Sequence, residues 1–522
     1  MFSLFIMLQN YSLSQSGKYW IWSIFYSLLF LAVYGYKFNC SDLEEHLPAV
    51  YKMLNLQLYQ GDYVTEFLAS GFSVRYFYNH TLYYSGLVFP LPTVAFTFML
   101  LLLTVFIFYI QKTSFVIFKN HITATITPFI AIILLNKITV GGNTVSDNML
   151  TCTVFANTLC MATFYCAFSS RMRIAVLCCG LATWYQPLVG MQVFLLLLLM
   201  QSVSSKFRIK EIVTIIIFYL VSASPMLIPL FYRQFFAEIA TPDMLFYYIL
   251  YVFRNPHHYL PSFFPIVDYI KSGVLFLISG LLFFRFPTKY NRQIIVIISG
   301  IAAGMIFYYL IFDALGIMVV GKLQWFKTSV WLTIFCSFYI AHFIAQQKLI
   351  EKTFQFKWMS ACVIALSIIV FYLITHASQL PIERLKSRYA IGQFKKTDLT
   401  LMHEWIRENT PVTTKILSFP DDDSFLCEAQ RPTPVAWKAI IHEPWFLKQW
   451  YYNFTTDYNL ERKIEWKNIN RREKANAAYS GTNHKPDNKS YSMILLNNNK
   501  LPEQVKGRII HRQGEYTLWQ WN

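Results

Sequence analysis

The sequence predicts a polytopic α-helical membrane protein of about eleven membrane helices, one broken hairpin included, with a C-terminal extracytoplasmic α/β domain. Three observations predict it. Of 522 residues, 55% are hydrophobic and only 14% charged, against about 25% charged in soluble globular chains. The mean hydropathy is +0.38. The charges are also unevenly divided: residues 1–376 hold 23 Lys/Arg and 12 Asp/Glu, while 377–522 hold 22 and 16. The first part reads as the membrane domain and 377–522 as the soluble one. This composition excludes a disordered, collagen-like or disulfide-scaffold chain and weighs against a purely soluble enzyme. The net charge of +17 does not call for nucleic acid. Its basic residues cluster in short loops between apolar runs, as they do at span ends.

A span needs about 20 apolar residues to cross the hydrocarbon core. Runs at 18–37, 87–111, 121–140, 149–168, 212–232, 271–286, 293–313, 326–346 and 357–376 qualify. The run 174–201 is interrupted by Trp184-Tyr185-Gln186-Pro187, and proline removes a backbone donor and breaks a helix. It is either one kinked crossing or a hairpin of two half-length helices. With a cytoplasmic N-terminus and a hairpin, Lys112, Lys119, Arg171, Arg173, Lys206, Arg208, Lys210, Arg285, Lys289, Arg292, Lys348, Lys352 and Lys357 all fall in short cytoplasmic loops. A single crossing would move those from Lys206 onward outside, so the positive-inside rule favours the hairpin. The long connections 38–86 and 233–270 then face outward. Residues 1–17 carry no basic n-region and no small-residue cleavage site, so the first span reads as a retained anchor.

Nine cysteines contain no CxxC pair. Cys152, Cys160, Cys166, Cys178 and Cys179 lie in apolar runs and read as small hydrophobes. Cys40 and Cys427 fall outside the apolar runs, which leaves a disulfide between them open.

Of twelve acids in residues 1–376, five lie in one stretch: Asp42, Glu44, Glu45, Asp62 and Glu66. The run Ser41-Asp-Leu-Glu-Glu-His-Leu-Pro48 directly follows the first span. On a helix, Asp42, Glu45 and His46 would share a face. Carboxylates just outside a span suit general-base or cation-binding work on a lipid-linked substrate. The alternative is a helix start, capped by Ser41 or Asp42, with acids in its first turn.

A short N-terminal tail, one span, a long acidic first loop, many further spans and a C-terminal α/β domain together resemble the GT-C superfamily of membrane glycosyltransferases. More closely, Asp42–Pro48, Leu58-Tyr-Gln-Gly-Asp62, Trp184-Tyr-Gln-Pro-Leu-Val-Gly190 and Arg254-Asn-Pro-His-His-Tyr-Leu-Pro261 resemble a mostly uncharacterised bacterial GT-C-like membrane family. The resemblance implies a sugar taken from a polyprenyl-phosphate donor, an acid of the first outer loop as catalyst, and a bacterial inner membrane. Asp42 matches that acid best. Such loops often hold a tight pair of acids, whereas the order here is Asp-Leu-Glu-Glu, so the roles of Glu44 and Glu45 stay open. They would orient the acceptor or hold a divalent cation, Mg or Mn. No cofactor is required by the sequence.

Other constellations fit the same donor. Arg254 offers a bidentate fork for phosphate, and His257 and His258 add donors. The alternatives are a metal site and an interfacial turn made by Pro256 and Pro261. Lys327, in Lys322-Leu-Gln-Trp-Phe-Lys327, reaches either a lipid phosphate or ordinary headgroups. Gln186 at the hairpin tip lines a substrate cavity or packs into a kink. His46 is grouped with these as a substrate contact. Gly141-Gly142 is a turn and not a phosphate loop, since no GK[ST] follows.

In the soluble part, Asp398–Glu408 has the pattern of an amphipathic helix ended by Asn409-Thr410-Pro411. Strands are expected at Lys415–Phe419, Val435–Ile441, Tyr491–Leu496, Arg508–Arg512 and Tyr516–Trp521, and a helix at Pro444–Phe454. Asp421, Asp422 and Asp423 either bind a cation or acceptor, or form a solvated loop.

The sequence therefore predicts an inverting membrane glycosyltransferase working on a polyprenyl-phosphate-linked sugar among membrane lipid, with Asp42 as general base. The alternative is a non-enzymatic membrane protein, either a lipid or polymer transporter or an assembly partner, or a GT-C homologue that has lost activity. A transporter would carry ionisable groups within its spans, and these are nearly absent.

Overall fold

The computed structural model describes residues 15–203, 209–236, 242–347, 397–419, 422–457, 491–497 and 507–521. The expected span 357–376, the Asn/Lys-rich stretch 467–489 and Asp421 lie outside them.

In chain order the helices begin with α1 (Gln15–Tyr34), a 3-10 turn over Ser41–Glu45, α2 (Leu47–Leu54), α3 (Tyr63–Ser70), α4 (Tyr76–Gly86) and α5 (Leu91–Phe118). Next come α6 (His121–Pro128), α7 (Cys152–Phe168), α8 (Met172–Tyr185), α9 (Pro187–Ser202), α10 (Ile209–Phe235), α11 (Met244–Tyr247) and α12 (Pro256–Tyr259). The apolar part closes with α13 (Ile266–Arg285), α14 (Asn291–Tyr308) and α15 (Ser329–Ala345). Three helices widen into π turns: α6 over Phe129–Leu134, α11 over Tyr248–Arg254 and α14 over Tyr309–Ala314.

Among the described residues, five helical stretches are long and apolar enough to cross a membrane: Leu91–Phe118, Ile209–Arg233, Ile266–Arg285, Asn291–Ala314 and Met318–Ala345. The runs predicted at 121–140 and 149–168 and the two halves of 174–201 form shorter apolar helices. The protein is thus mainly helical, with apolar helices compatible with membrane insertion. The helix α1 is 20 residues long, but Gln15, Lys18 and its serines and tyrosines keep it outside the group of five.

The chain divides into two units. The first comprises Met1–Tyr36, Thr97–Leu227 and His257–Tyr389. Its centre is α15, packed against α6, α13 and α14. The stretch containing α15 is 72% buried, whereas α13 is 11% buried and exposes Leu277, Leu281 and Phe284. The chain doubles back at Gln186, whose backbone is extended (φ −143°, ψ 92°). Cys179 Sγ lies 3.2 Å from the Gly190 carbonyl oxygen. Along one straight helix those residues would be about 16 Å apart at 1.5 Å per residue. The segment is therefore a hairpin of α8 and α9, not a kinked rod. Gly190 is required there, because a Cβ would come within 2.3 Å of Thr183 Oγ1 and 2.8 Å of Thr183 Cα.

The second unit comprises Lys37–Phe96, Ile228–Pro256 and Ala390–Asn522. Its C-terminal part contains α16 (Asp398–Asn409), β1 (Ile416–Leu417), α17 (Phe425–Ala429), α18 (Pro444–Asp457), β2 (Met493–Asn497), β3 (Gly507–Gln513) and β4 (Tyr516–Trp521). A four-stranded sheet runs in the order β1-β2-β4-β3. β1 and β2 are parallel and the other pairs antiparallel, with a register shift between Ile509 and His511. The Thr397 and Thr400 side chains form a reciprocal capping box at the start of α16, which satisfies otherwise orphaned N–H groups. Met402 and Ile406 of α16 pack on Ile416, Phe425, Ala429, Leu495 and Leu518. This is the predicted amphipathic helix covering a sheet.

One predicted strand is absent. Residues 435–441 are irregular. Pro432 and Pro434 lack donors, the Thr433 N–H goes to Asp62 Oδ2 at 3.4 Å, and the Ala436 carbonyl accepts from Trp450 Nε1 at 2.8 Å. The Ala436 carbonyl, and the Thr433 N–H just before the segment, are thus taken by side chains and not by a neighbouring strand.

Candidate functional site

The acidic run folds as the 3-10 turn Ser41–Glu45, entered through two left-handed residues, Asn39 (φ 58°) and Ser41 (φ 59°). Tyr51 donates to Asn39 Oδ1 at 2.7 Å and the Ser41 N–H donates to the Asp423 carbonyl at 2.9 Å. A 3-10 turn eclipses residues three apart, so Asp42 and Glu45 stack as expected. Their partners differ, however. Lys438 Nζ donates to Asp42 Oδ1 at 2.6 Å. Glu45 pairs with Arg75. Glu44 is fully buried, and its Oε1 accepts from the Leu426 N–H at 3.1 Å. His46 does not continue the face. It is buried with its ring centroid 4.9 Å from that of Tyr78. Burial pushes its imidazole down to about 4, only partly opposed by the Asp42 charge. His46 is thus neutral at physiological pH.

Asp42 alone of this run keeps its carboxylate largely in solvent, at 56% exposure. Arg254 ends the π turn of α11 in the same unit, and Asn255 Oδ1 accepts from its Nη1 at 2.8 Å. The guanidinium lies 4.8 Å over the ring of Trp437. Asp42 and Arg254 are thus held by consecutive residues, Lys438 and Trp437, of the irregular segment before α18.

The loop is fastened from below. Leu426 of α17 gives its N–H to Glu44 and its carbonyl accepts from Tyr59 Oη at 2.6 Å. Asp62 caps α3 by accepting from the Thr65 N–H at 2.9 Å. Its burial pushes the carboxyl up, against the pull of those hydrogen bonds and of Lys415. The helix α17 is itself braced by His403, fully buried on α16. Its Nδ1 lies 3.0 Å from Glu428 Oε2 and its Nε2 2.9 Å from Asp422 Oδ2. Carboxylates only accept, so this arrangement needs the imidazolium. Burial would lower its pKa, but the Asp422 charge and the two hydrogen bonds outweigh that and lift it to about 10. Asp422 is held below the usual carboxylate range: burial raises it, and His403, Ser418 and the Ser424 N–H overcome the rise. Asp422 is therefore a buried brace, not a solvated loop residue. Asp423 contributes its carbonyl to Ser41.

The remaining predicted residues belong to the first unit. The His257 and His258 rings lie 4.1 Å apart, and His258 Nδ1 is 3.3 Å from the Gly141 carbonyl oxygen. The predicted glycine turn thus receives the histidine pair, and a Cβ on Gly142 would press on His258. Lys327 lies in a 3-10 turn whose neighbour Phe326 packs on Phe264. Gln186 forms the hairpin corner, its Nε2 4.0 Å from Cys152 Sγ. Cys40 and Cys427 are free thiols.

A divalent cation on Glu44 or Glu45 does not fit this geometry. Those carboxylates serve separate partners, and among the described residues no three His, Cys, Asp or Glu side chains gather as ligands. Sequence reasoning missed Trp437, Lys438, Arg75 and His403. The Pro432-Thr-Pro434 spacing was the available sign that 435–441 is not a strand and so presents its side chains elsewhere.

Residues 397–455 match a family described as a domain of unknown function, DUF6798. The match begins at the capping box of α16 and includes His403, Asp422, Glu428, Trp437 and Lys438. No curated protein matches the chain.

Proposed function

We propose that the protein is a membrane glycosyltransferase that moves a sugar from a polyprenyl-phosphate donor to an acceptor hydroxyl at the extracytoplasmic face of a bacterial inner membrane. Asp42 acts as general base. It takes the acceptor hydroxyl proton as that oxygen attacks the anomeric carbon. The bond to the donor phosphate breaks with its electron pair, and the anomeric configuration inverts. Lys438 supplies positive charge for the departing polyprenyl phosphate, and Arg254, buried against Trp437, adds its charge from behind. One observation carries this reading: the only acid of the run left in solvent, Asp42, is held on Lys438, beside the Trp437 that holds Arg254. A base must be reachable by its substrate, and Glu44 and Glu45 are mostly covered while Asp42 is open to solvent.

A second reading is supported by Glu44 and Tyr59, which hold Leu426 by its N–H and by its carbonyl. In that reading the acids fasten the first loop to the C-terminal domain, and the protein is a non-catalytic assembly partner. The test is Asp42→Asn in intact cells, reading accumulated polyprenyl-linked sugar and surface glycans at matched protein levels. Catalysis predicts loss of transfer with a folded protein. An unchanged glycan profile rejects it in favour of the second reading.

A further inference from the structure

We infer that one face of α18 lies against the lipid headgroups and anchors the C-terminal domain to the membrane surface. Ile209–Arg233 is one of the stretches able to span a membrane, and a spanning helix meets the headgroup layer at its end. Its last residues, from Ile228, belong to the second unit. There Arg233 pairs with Glu443, the residue immediately before α18, and also donates to the Phe72 carbonyl. The other oxygen of Glu443 accepts from Trp445 Nε1 at 2.9 Å. One carboxylate thus joins the span end to an indole that is 42% exposed.

The same face continues along the helix. Trp445, Lys448 and Tyr452 are spaced three and four apart and share one side of α18. Lys448 Nζ donates to Asp243 Oδ2 at 2.5 Å, and the two residues after Asp243, Met244 and Leu245, are exposed. Tyr232 and Phe236 at the end of α10 are exposed and stacked on each other. Trp and Tyr, apolar in body and polar at one edge, are favoured at the membrane–water boundary, and Lys and Arg reach headgroups from it. Continuity with the span end is what selects lipid over a soluble partner for this patch.

The inference rests on reading Ile209–Arg233 as a span, and the experiment separates the two. The full-length protein is reconstituted in phosphatidylcholine/phosphatidylglycerol nanodiscs. The photo-reactive residue p-benzoylphenylalanine is placed singly at Trp445, Tyr452, Leu220 within the span, or Arg508 on β3. Irradiation should give lipid adducts by mass spectrometry at 445, 452 and 220, with at least tenfold less at 508. Adducts at 220 but not at 445 or 452 overturn the inference and leave the span standing. No adduct at any position overturns both. Adducts to a protein at 445, or equal labelling at 508, also overturn it.

Discussion

Asp42 and Lys438 are 396 positions apart in the chain and meet through a 2.6 Å hydrogen bond. The contact is half-open to solvent, so it adds little to the stability of the fold. Exposed ion pairs contribute about 0–1 kcal/mol. Lys438→Met should therefore leave the melting temperature nearly unchanged and, on the proposed function, lower sugar transfer at least tenfold. A thermal melt and a transfer assay on one preparation check both halves. A large loss of stability with normal specific activity would count against the site.

Glu44 makes a different demand. Its carboxylate accepts the buried N–H of Leu426, and a buried donor left without its acceptor costs about 1–3 kcal/mol. Glu44→Ala should destabilise the second unit by that amount and speed hydrogen exchange at the Leu426 amide. Glu44→Gln keeps an acceptor and should lose less. Equal exchange in all three proteins would show that the bond does not hold the loop.

His403 gives a pH signature. An unfolded imidazole loses its proton near 6.5, while the folded one keeps it to about 10. The folded state binds the extra proton between these values, so stability falls as pH rises. The contribution is whole below about pH 6.5 and disappears as pH climbs towards 10. Asp422, held below its ordinary 3.8, works in the opposite sense, and its contribution is lost as pH falls through the acid range. Thermal melts from pH 6 to pH 10 should show a decline that His403→Gln flattens while lowering stability at neutral pH. Parallel curves for both proteins would refute the clamp.

The hairpin yields a steric prediction. Gly190→Ala places a methyl against the Thr183 backbone as well as its hydroxyl. Overpacking of this kind costs about 1–3 kcal/mol. Trimming the partner with Thr183→Ala should not rescue it, since backbone atoms still clash. Melts of the single and double variants in detergent test this.

Much of the architecture was legible because it depends on local pattern. Proline after Gln186 marked the hairpin corner, and Leu399, Met402 and Ile406 marked the face of α16. The first loop was legible as a place of concentrated acids. Which acid does what was not, because burial decides it: Glu44 and Asp42 are two residues apart, yet one is buried against the Leu426 N–H and the other lies open beside Lys438. Lys438 and Trp437 were hidden for the same reason, as their partners Asp42 and Arg254 lie far upstream in the chain. The expected strand at 435–441 failed because apolar alternation cannot reveal that Trp450 will take the Ala436 carbonyl and Asp62 the Thr433 N–H just before it.

The grip of Glu44 and Tyr59 on Leu426 also fixes an order of events during synthesis. Tyr59 is made 367 residues before its acceptor. At roughly 5–20 residues per second, that is a wait of about 20–70 s. For most of it the first loop is outside the ribosome, with Glu44 and Tyr59 awaiting a residue, Leu426, not yet made. Ribosomes stalled before Leu426 should therefore hold nascent chains whose first loop is cut readily by protease. The same loop should become resistant within seconds of the C-terminal helices emerging.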